Sequence, residues 1–409
     1  MGAQQRVRFR EVFADPAYRR LFVAQTASRA GDAFRTVALV IVVFGLTGSG
    51  LGTAGIVVAE ILPVLLLAPV AGELVDRLPR RTVMIAADLW RAGLMALLPL
   101  VDSSVVAVYA VGFGLSVGSV FFNPAAGSLV PALVPERQLV AANSGIWTAA
   151  VLAQIALAPA AGGMVTALGA TPAFALDAAS FAVSALVLRG LAIPAKPAAT
   201  GPAGSWAGRV REGLALLVGD RLLRILAAGQ LLAALSAGAT SALLVVLVER
   251  HLHAGAAGFG LLIGAIGIGA AAGPFLLTRL TDNPRRPGFV FGPYLLRGGV
   301  DLAVATVTSL PAALGAMAAY GLGTSTGAVT FNSLLQAEVP AQLRGRVFAG
   351  MDLLWQSGRL ISLAVGGALA DTLGIRAVYY LGGALLLLAG GLGLTGLSRS
   401  GGSTPQNPR

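Results

Sequence analysis

"DPAYRRLFVAQ", residues 15–25, returns 205 residues later as "DRLLRILAAGQ", residues 220–230. Asp15 meets Asp220, Arg19 meets Arg224, Leu21 meets Leu226 and Gln25 meets Gln230. The same shift lays "PRR" (79–81) on "PRR" (284–286), and "SLVPALVP" (128–135) on "SLLQAEVP" (333–340) with five identities in eight. It also lays Leu168-Gly169 on Leu373-Gly374. One constant offset that recovers four separate matches points to an internal duplication. An Ala/Leu-rich chain matches itself by chance at apolar positions, but matched Asp, Arg, Gln and Pro are harder to reach that way.

Composition says what kind of chain is duplicated. Of 409 residues, 56% are apolar and 11% charged, too few to cover the surface of a soluble protein of this size. The chain therefore reads as an integral membrane protein. It has no cysteine, which removes disulfides, thiolate metal sites and cysteine nucleophiles. Two histidines, His251 and His253, are too few for most catalytic or metal schemes, and no metal or cofactor is expected. The first twenty residues are polar and basic and lack a signal-peptide pattern. There is no G-x-x-x-x-G-K-[ST], and the only lysine is Lys196, which argues against a nucleotide-driven pump; an enzyme would need clustered His, Asp or Glu on facing helices, and the two histidines sit together in one outer loop.

A membrane-spanning helix needs about 20 mostly apolar residues. Twelve stretches qualify: 21–46, 52–74, 82–101, 105–130, 140–167, 173–192, 222–248, 256–280, 288–308, 312–335, 347–370 and 375–397. The long polar break at 193–216, rich in Pro, Ala and Gly, reads as a linker between a six-helix bundle at 1–192 and a second at 217–400. Residues 401–409 read as a disordered tail. With the N-terminus in the cytoplasm, 22 of the 29 basic residues fall on the cytoplasmic side and two, Arg250 and Arg376, outside. Both termini are then cytoplasmic, and the net charge of +11 is an orientation signal with no nucleic-acid partner implied. The fold class is all-α: twelve transmembrane helices in two parallel repeats related by an axis along the membrane normal, with a substrate site between them near the midplane.

The loop "AGELVDRLPRR" (71–81) combines small residues, one acid and three arginines. Gly72 is expected to allow a close helix contact, and Asp76, just past a helix end, to face another helix's positive N-terminus. Arg77, Arg80 and Arg81 can pair with acids or lipid phosphates. A plain positive-inside loop would need no acid.

Here the sequence resembles the major facilitator superfamily, whose signature loop reads roughly G-x-x-x-D-R-x-x-R-R; residues 72–81 fit it, and the likeness covers nearly the whole chain. That resemblance implies that Asp76 and Arg77 latch a cytoplasmic gate on the start of the eleventh helix, near Gly345 and Arg346. Three more segments resemble one bacterial efflux branch, which includes macrolide and enterobactin exporters of the drug:proton antiporter-3 or transmembrane secretion effector type. They are "SRAGD" (28–32), "FFNPAAGSLVPALVPERQLVAANS" (121–144) and "VPAQLRGRVFAG" (339–350). "LAPAAGG" (157–163) is similar to the antiporter motif of the fifth helix, with Pro159, Gly162 and Gly163 in register and Ala158 in place of its first glycine. The fourth-helix arginine of many drug/proton antiporters has no equivalent, since residues 105–130 hold no charge. The resemblance implies a bacterial inner-membrane exporter, monomeric, with a small-molecule substrate, protons and membrane lipids as its partners.

An ionisable side chain at membrane depth costs at least about 2.5 kcal/mol, so each needs a partner or a task. Asp32 lies twelve residues, about 18 Å, beyond Arg20 and so near mid-bilayer. Arg29 and Arg35 are expected on its face. The group is either a proton-coupling or substrate-recognition site or a static cluster that holds its helix in place. Shifted by 205, these three positions become Ala234, Ala237 and Thr240, so the second half builds the matching helix without them. Glu60 has no basic residue three or four positions away and is a second proton-site candidate, or a packing residue. Asp88 with Arg91 (i, i+3) and Arg297 with Asp301 (i, i+4) are spaced for intrahelical ion pairs of mainly structural use. Asp177 is expected to reach water at the outer end of its helix, and Asp352 to belong to the gate. Phe34, Phe121, Phe122, Trp147, Phe331 and Trp355 are candidate cavity residues, although aromatics in spans are more often packing residues. Gln25 and Gln230 read as scaffold or gate. The chain is thus expected to be a secondary active exporter of a small amphiphile such as a drug, macrolide or siderophore-like compound. An importer of the same fold, a lipid flippase and a non-transporting sensor stay open.

Overall fold

The computed structural model describes residues 9–192 and 206–398, in which the regular structure is helical throughout. The chain opens with α1 (Phe9–Val12), α2 (Pro16–Thr47), α3 (Gly50–Arg77), α4 (Arg80–Val101) and α5 (Val105–Leu133). Then come α6 (Leu139–Leu168), α7 (Thr171–Arg189), α8 (Trp206–Gly219), α9 (Arg221–Ala242) and α10 (Leu244–Leu247). The last five are α11 (Gly255–Leu280), α12 (Pro287–Val304), α13 (Leu310–Glu338), α14 (Ala341–Thr372) and α15 (Ile375–Ser398). Among the described residues, nine helices are long and apolar enough to cross a membrane. The predicted spans 288–308, 312–335 and 347–370 are helical as well, in α12, α13 and α14, but these are more polar. Thr324, Ser325, Thr326, Thr330 and Asn332 all lie on α13.

The duplicated residues are helix punctuation. Asp15 caps α2 by accepting from the backbone N–H of Ala17 at 2.7 Å and Tyr18 at 2.9 Å; Asp220 caps α9 by accepting from Leu223 at 2.8 Å. Pro135 and Pro340 follow the ends of α5 and α13 and forbid their continuation. Gly169 and Gly374 carry φ of +78° and +85° just past α6 and α14, a conformation open to glycine at little cost.

Two expectations change. The second part of the predicted linker 193–216 is helix: α8 begins at Trp206, and residues 193–205 lie outside the described residues, as do 1–8 and 399–409, which take in the predicted tail 401–409. Its signal was Leu214 and Leu217, three apart on one face, with Leu217 2% exposed. The predicted span 222–248 is not one continuous helix either. It passes from α9 through α10 into a π turn at Val248–Leu252.

The described chain forms two compact units. The first holds residues 9–48, 55–192 and 255–264, the second 49–54, 206–254 and 265–398. In the first, Tyr18, Leu21, Met84, Leu129 and Leu188 form one core cluster, and Val43, Ile56, Met95, Phe174 and Phe181 another. In the second, Leu226, Phe291, Leu335, Val347 and Leu386 form the core. There α11 and α13 approach until no side chain fits between them. A Cβ at Gly269 would lie 1.8 Å from the carbonyl oxygen of Ala318, and one at Gly321 only 1.9 Å from that of Ile266. Helices in lipid associate through such close approach of small residues. Gly321→Ala should therefore destabilise the protein by about 1–3 kcal/mol in thermal unfolding in detergent. Gly315→Ala, on the same helix but facing open space, should leave the melting temperature unchanged or slightly raised.

Candidate functional site

Three helices of the first unit bring carboxylates to one guanidinium. α2 supplies Asp32 and Arg35, α3 supplies Glu60, and α7 supplies Asp177. Arg35 Nη1 lies 2.7 Å from Glu60 Oε1, Nη2 lies 3.3 Å from Asp32 Oδ1, and Nε lies 3.5 Å from Asp177 Oδ2. Gly31 makes room for this. A Cβ there would sit 2.3 Å from Asp177 Oδ1 and 2.0 Å from Ser180 Oγ. The hub holds two more carboxylates than guanidiniums. Asp177 is fully buried, while the side chains of Asp32 and Glu60 keep 25% and 33% of their exposure, enough for water to reach them.

Several sequence expectations are corrected here. Asp177 does not reach water; α7 turns it inward onto Arg35. Glu60 is not without a partner: its cation comes from a different helix, which spacing along its own helix could not reveal. Arg29 is exposed and makes no ion pair among the described residues, which sets it apart from the cluster. Six residues of α-helix leave Arg29 and Arg35 about 120° apart.

Beside the hub, Arg91 forms an ion pair with Asp88, which also accepts from Ser184 Oγ at 2.6 Å. The guanidinium of Arg91 is sandwiched 4.5 Å from the Phe122 ring centroid and 4.2 Å from that of Phe181. Phe122 is thus a buried packing residue, 4% exposed. A polar cavity of about 160 Å³ joins the two groups, lined by Asp32, Arg35, Glu60, Arg91, Ser116 and Phe181 among others. Ordinary chemistry for such a place is exchange of a proton or another cation between closely spaced carboxylates.

The second unit holds a larger cavity of about 320 Å³. Tyr294, Phe331 and Trp355 give it aromatic wall; Gln230, Arg297 and Asp352 give it polar points. Asp352 thus lines a cavity rather than standing only at a gate, and Gln230 is a cavity residue rather than scaffold alone. Arg297 and Asp301 do not pair as their spacing suggested. Arg297 Nη2 instead donates to Tyr320 Oη at 2.9 Å, with the guanidinium 4.8 Å from that ring's centroid. A tyrosine offers both a hydroxyl and a π-face, which competes with a carboxylate one turn away.

The predicted gate residues each have local surroundings within their own unit. Among the described residues, a Cβ at Gly72 or at Gly345 would meet nothing within 4 Å, so the close helix contact expected at Gly72 is not seen there. The side chain of Asp76 lies outside the described residues. Arg77 forms an exposed ion pair with Glu73 on its own helix. Arg80 donates to Ser128 O at 3.1 Å and Arg81 to Leu191 O at 3.3 Å, tying the start of α4 to the ends of its neighbours. Arg346 Nη1 lies 3.0 Å from Glu212 Oε2 of α8, and Gly213 of α8 presses on the backbone at Arg346, where a Cβ would lie 2.1 Å from its oxygen. In the antiporter-like stretch, Gly162 is required, because a Cβ there would lie 2.4 Å from Ala256 O, and the Pro159 ring packs against Gly264. Gly163 faces open space. Phe34 and Phe121 pack against core clusters, and Trp147 is 49% exposed.

The model of a family described as transmembrane secretion effector matches residues 11–404. The chain is 28% identical over 399 residues to an uncharacterised MFS-type transporter, YfiS, of Bacillus subtilis, covering 92% of each chain. It is 29% identical over 379 residues to the multidrug efflux pump Tap of Mycolicibacterium fortuitum, covering 88% of this chain and 90% of that one. Among solved structures it is similar to a bacterial homologue of the iron transporter ferroportin in an inward-facing state. The TM-score is 0.76 at 18% identity, covering 94% of this chain and 99% of the other, a likeness of fold alone.

Removing the cation from the hub leaves three carboxylates facing one another. Arg35→Ala should cost about 3–5 kcal/mol of stability, and Arg35→Lys less, since an ammonium keeps the charge but not the fork. The deficit against wild type should be largest in alkaline detergent solution. It should shrink on acidification, as protons remove the uncompensated charge; thermal melts across pH check this.

Proposed function

We propose, from the premise that the chain belongs to the transmembrane secretion effector family of the major facilitator superfamily, that it exports small amphiphilic compounds in exchange for protons. It is a secondary active transporter of small molecules in a bacterial membrane, working by alternating access. The observation that carries the finer reading is the Arg35 hub, where one guanidinium is divided among Asp32, Glu60 and Asp177.

A proton that binds Asp32 or Glu60 cancels one of the ties that Arg35 makes, and the guanidinium turns to the remaining carboxylates. The ties among α2, α3 and α7 then change strength with proton occupancy. That is the differential a proton needs in order to bias one conformation over another. Twelve spans in two parallel six-helix repeats, both termini cytoplasmic, suit a monomer whose halves rock against each other during transport. Gly72, Asp76, Arg77, Arg80, Arg81, Gly345 and Arg346 are assigned to its cytoplasmic gate.

Substrate is assigned to the cavity of the second unit. Its aromatic wall and few polar points suit an amphiphile and do little to select one. The efflux activity in the name of the Mycolicibacterium fortuitum relative supports the outward direction.

Everted membrane vesicles test the whole reading. Wild type should accumulate an amphiphilic dye when the interior is acidified. Glu60→Gln and Asp32→Asn should each lower the initial rate at least about tenfold, about 1.4 kcal/mol, and flatten its pH dependence. Normal rates with an unchanged pH profile in both variants would remove the proton role from the hub. Dye uptake into intact cells would reverse the direction, and lipid scrambling without a gradient would favour a flippase.

A further inference from the structure

Asp301 of α12 is a buried carboxylate that, among the described residues, no cation reaches within ion-pair distance. It is 0% exposed, and its Oδ1 has no hydrogen-bond partner. Its Oδ2 lies 3.4 Å from Ser236 Oγ of α9, beyond the usual O–H···O range. Arg297, one turn away on the same helix, is committed to Tyr320 and leaves its own Nε without a partner. The two groups best placed to neutralise each other occupy consecutive turns and do not join.

The surroundings supply no substitute. From α15, Tyr379 gives its hydroxyl to Thr240 O at 2.7 Å, and Arg376 gives its Nε to Ala305 O at 2.8 Å. From α13, Tyr320 holds Arg297, and Tyr294 lies two turns back on α12 itself. α9 presents Ser236 and Thr240, neither of which titrates. Among the described residues, no cation comes within ion-pair distance of Asp301.

The duplication sharpens the contrast. In the first unit, Asp177 of α7 fits against Gly31 of α2 and meets Arg35 at 3.5 Å. Moved on by 205 residues, those positions are Gly382, Ser236 and Thr240. A Cβ at Gly382 would lie 3.1 Å from Ser236 Oγ and 3.4 Å from Asp301 Oδ2. Each unit therefore buries a carboxylate at the corresponding place, delivered from α7 in one and from α12 in the other. Only in the first does an arginine come within ion-pair distance of it among the described residues. A bare carboxylate anion in such a place is expensive, whereas a carboxylic acid is not.

We propose that Asp301 holds an exchangeable proton, and that this proton decides where Arg297 points. With the proton on, Asp301 is neutral and Arg297 rests on Tyr320. When the proton leaves to water, the carboxylate draws Arg297 across one turn of α12, which the i, i+4 spacing permits. Arg297 lines the cavity of the second unit, so Asp301 acts as a positioning residue that sets whether that wall presents a cation. This proton site is separate from the Arg35 hub and stands without the export reading.

Infrared difference spectra of the full chain in lipid nanodiscs, taken between about pH 5 and about pH 9, test it without any substrate. Wild type should show a protonated-carboxyl band that bleaches as pH rises, and Asp301→Asn should lose part of that band. Asp301→Glu should restore it at a shifted frequency. Tyr320→Phe removes the competing partner of Arg297, favours the ionised carboxylate, and should move the bleach to lower pH. A band at wild-type amplitude in Asp301→Asn would overturn the proposal. Where that variant does not fold, an unshifted band in Asp301→Glu or an unmoved bleach in Tyr320→Phe would do the same.

Discussion

Hydrocarbon gives helices no reason to hide apolar surface from one another, and this constraint governs the molecule. Association then rests on close approach of backbones and on the few polar contacts that lipid cannot replace. The chain uses 54 glycines, and those at Gly162, Gly260, Gly269 and Gly321 let one helix backbone touch another where no Cβ fits. Such contact is strong in dispersion and poor in direction. It sets how near two helices lie and says little about when they should part.

Direction comes from charge. The first unit gathers Asp32, Glu60, Asp177, Asp88, Arg35 and Arg91 from four helices into one connected region, with Phe122 and Phe181 shielding one arginine from lipid. The second unit uses the same scaffold with a leaner set, in which Arg297 over Gly323 mirrors Arg91 over Gly118. A Cβ at either glycine would collide with the arginine stem, so both units reserve a slot for a long cation between their third and fourth spans. The residues around the slots differ: a charged hub lies near one, an aromatic-walled cavity near the other.

Much of the fold was legible because its signals are local. Asp15 and Asp220 announce helix starts, Pro135 and Pro340 forbid continuation, and Gly169 and Gly374 close helices with positive φ. Each is decided within a turn or two of chain. The charged residues were legible as anomalies, but not as partners. Whether Glu60 meets Arg35, or Asp177 turns in rather than out, depends on the rotation of three helices that are far apart in sequence. Arg297 shows the reverse error: an ideal spacing to Asp301 lost to a tyrosine on another helix. α8 was missed because a proline- and alanine-rich stretch precedes its short amphipathic run.

The Arg35 hub also has an electrical meaning. Three carboxylates around one guanidinium form a site whose net charge depends on how many protons it holds, carried on helices that cross the bilayer. A charge that crosses the whole membrane exchanges about 2.3 kcal/mol with each 100 mV, and a charge that travels part of the way exchanges that fraction. Under the proton exchange proposed above, loading the hub would be work done by voltage as well as by concentration, and the same carboxylates would answer to both.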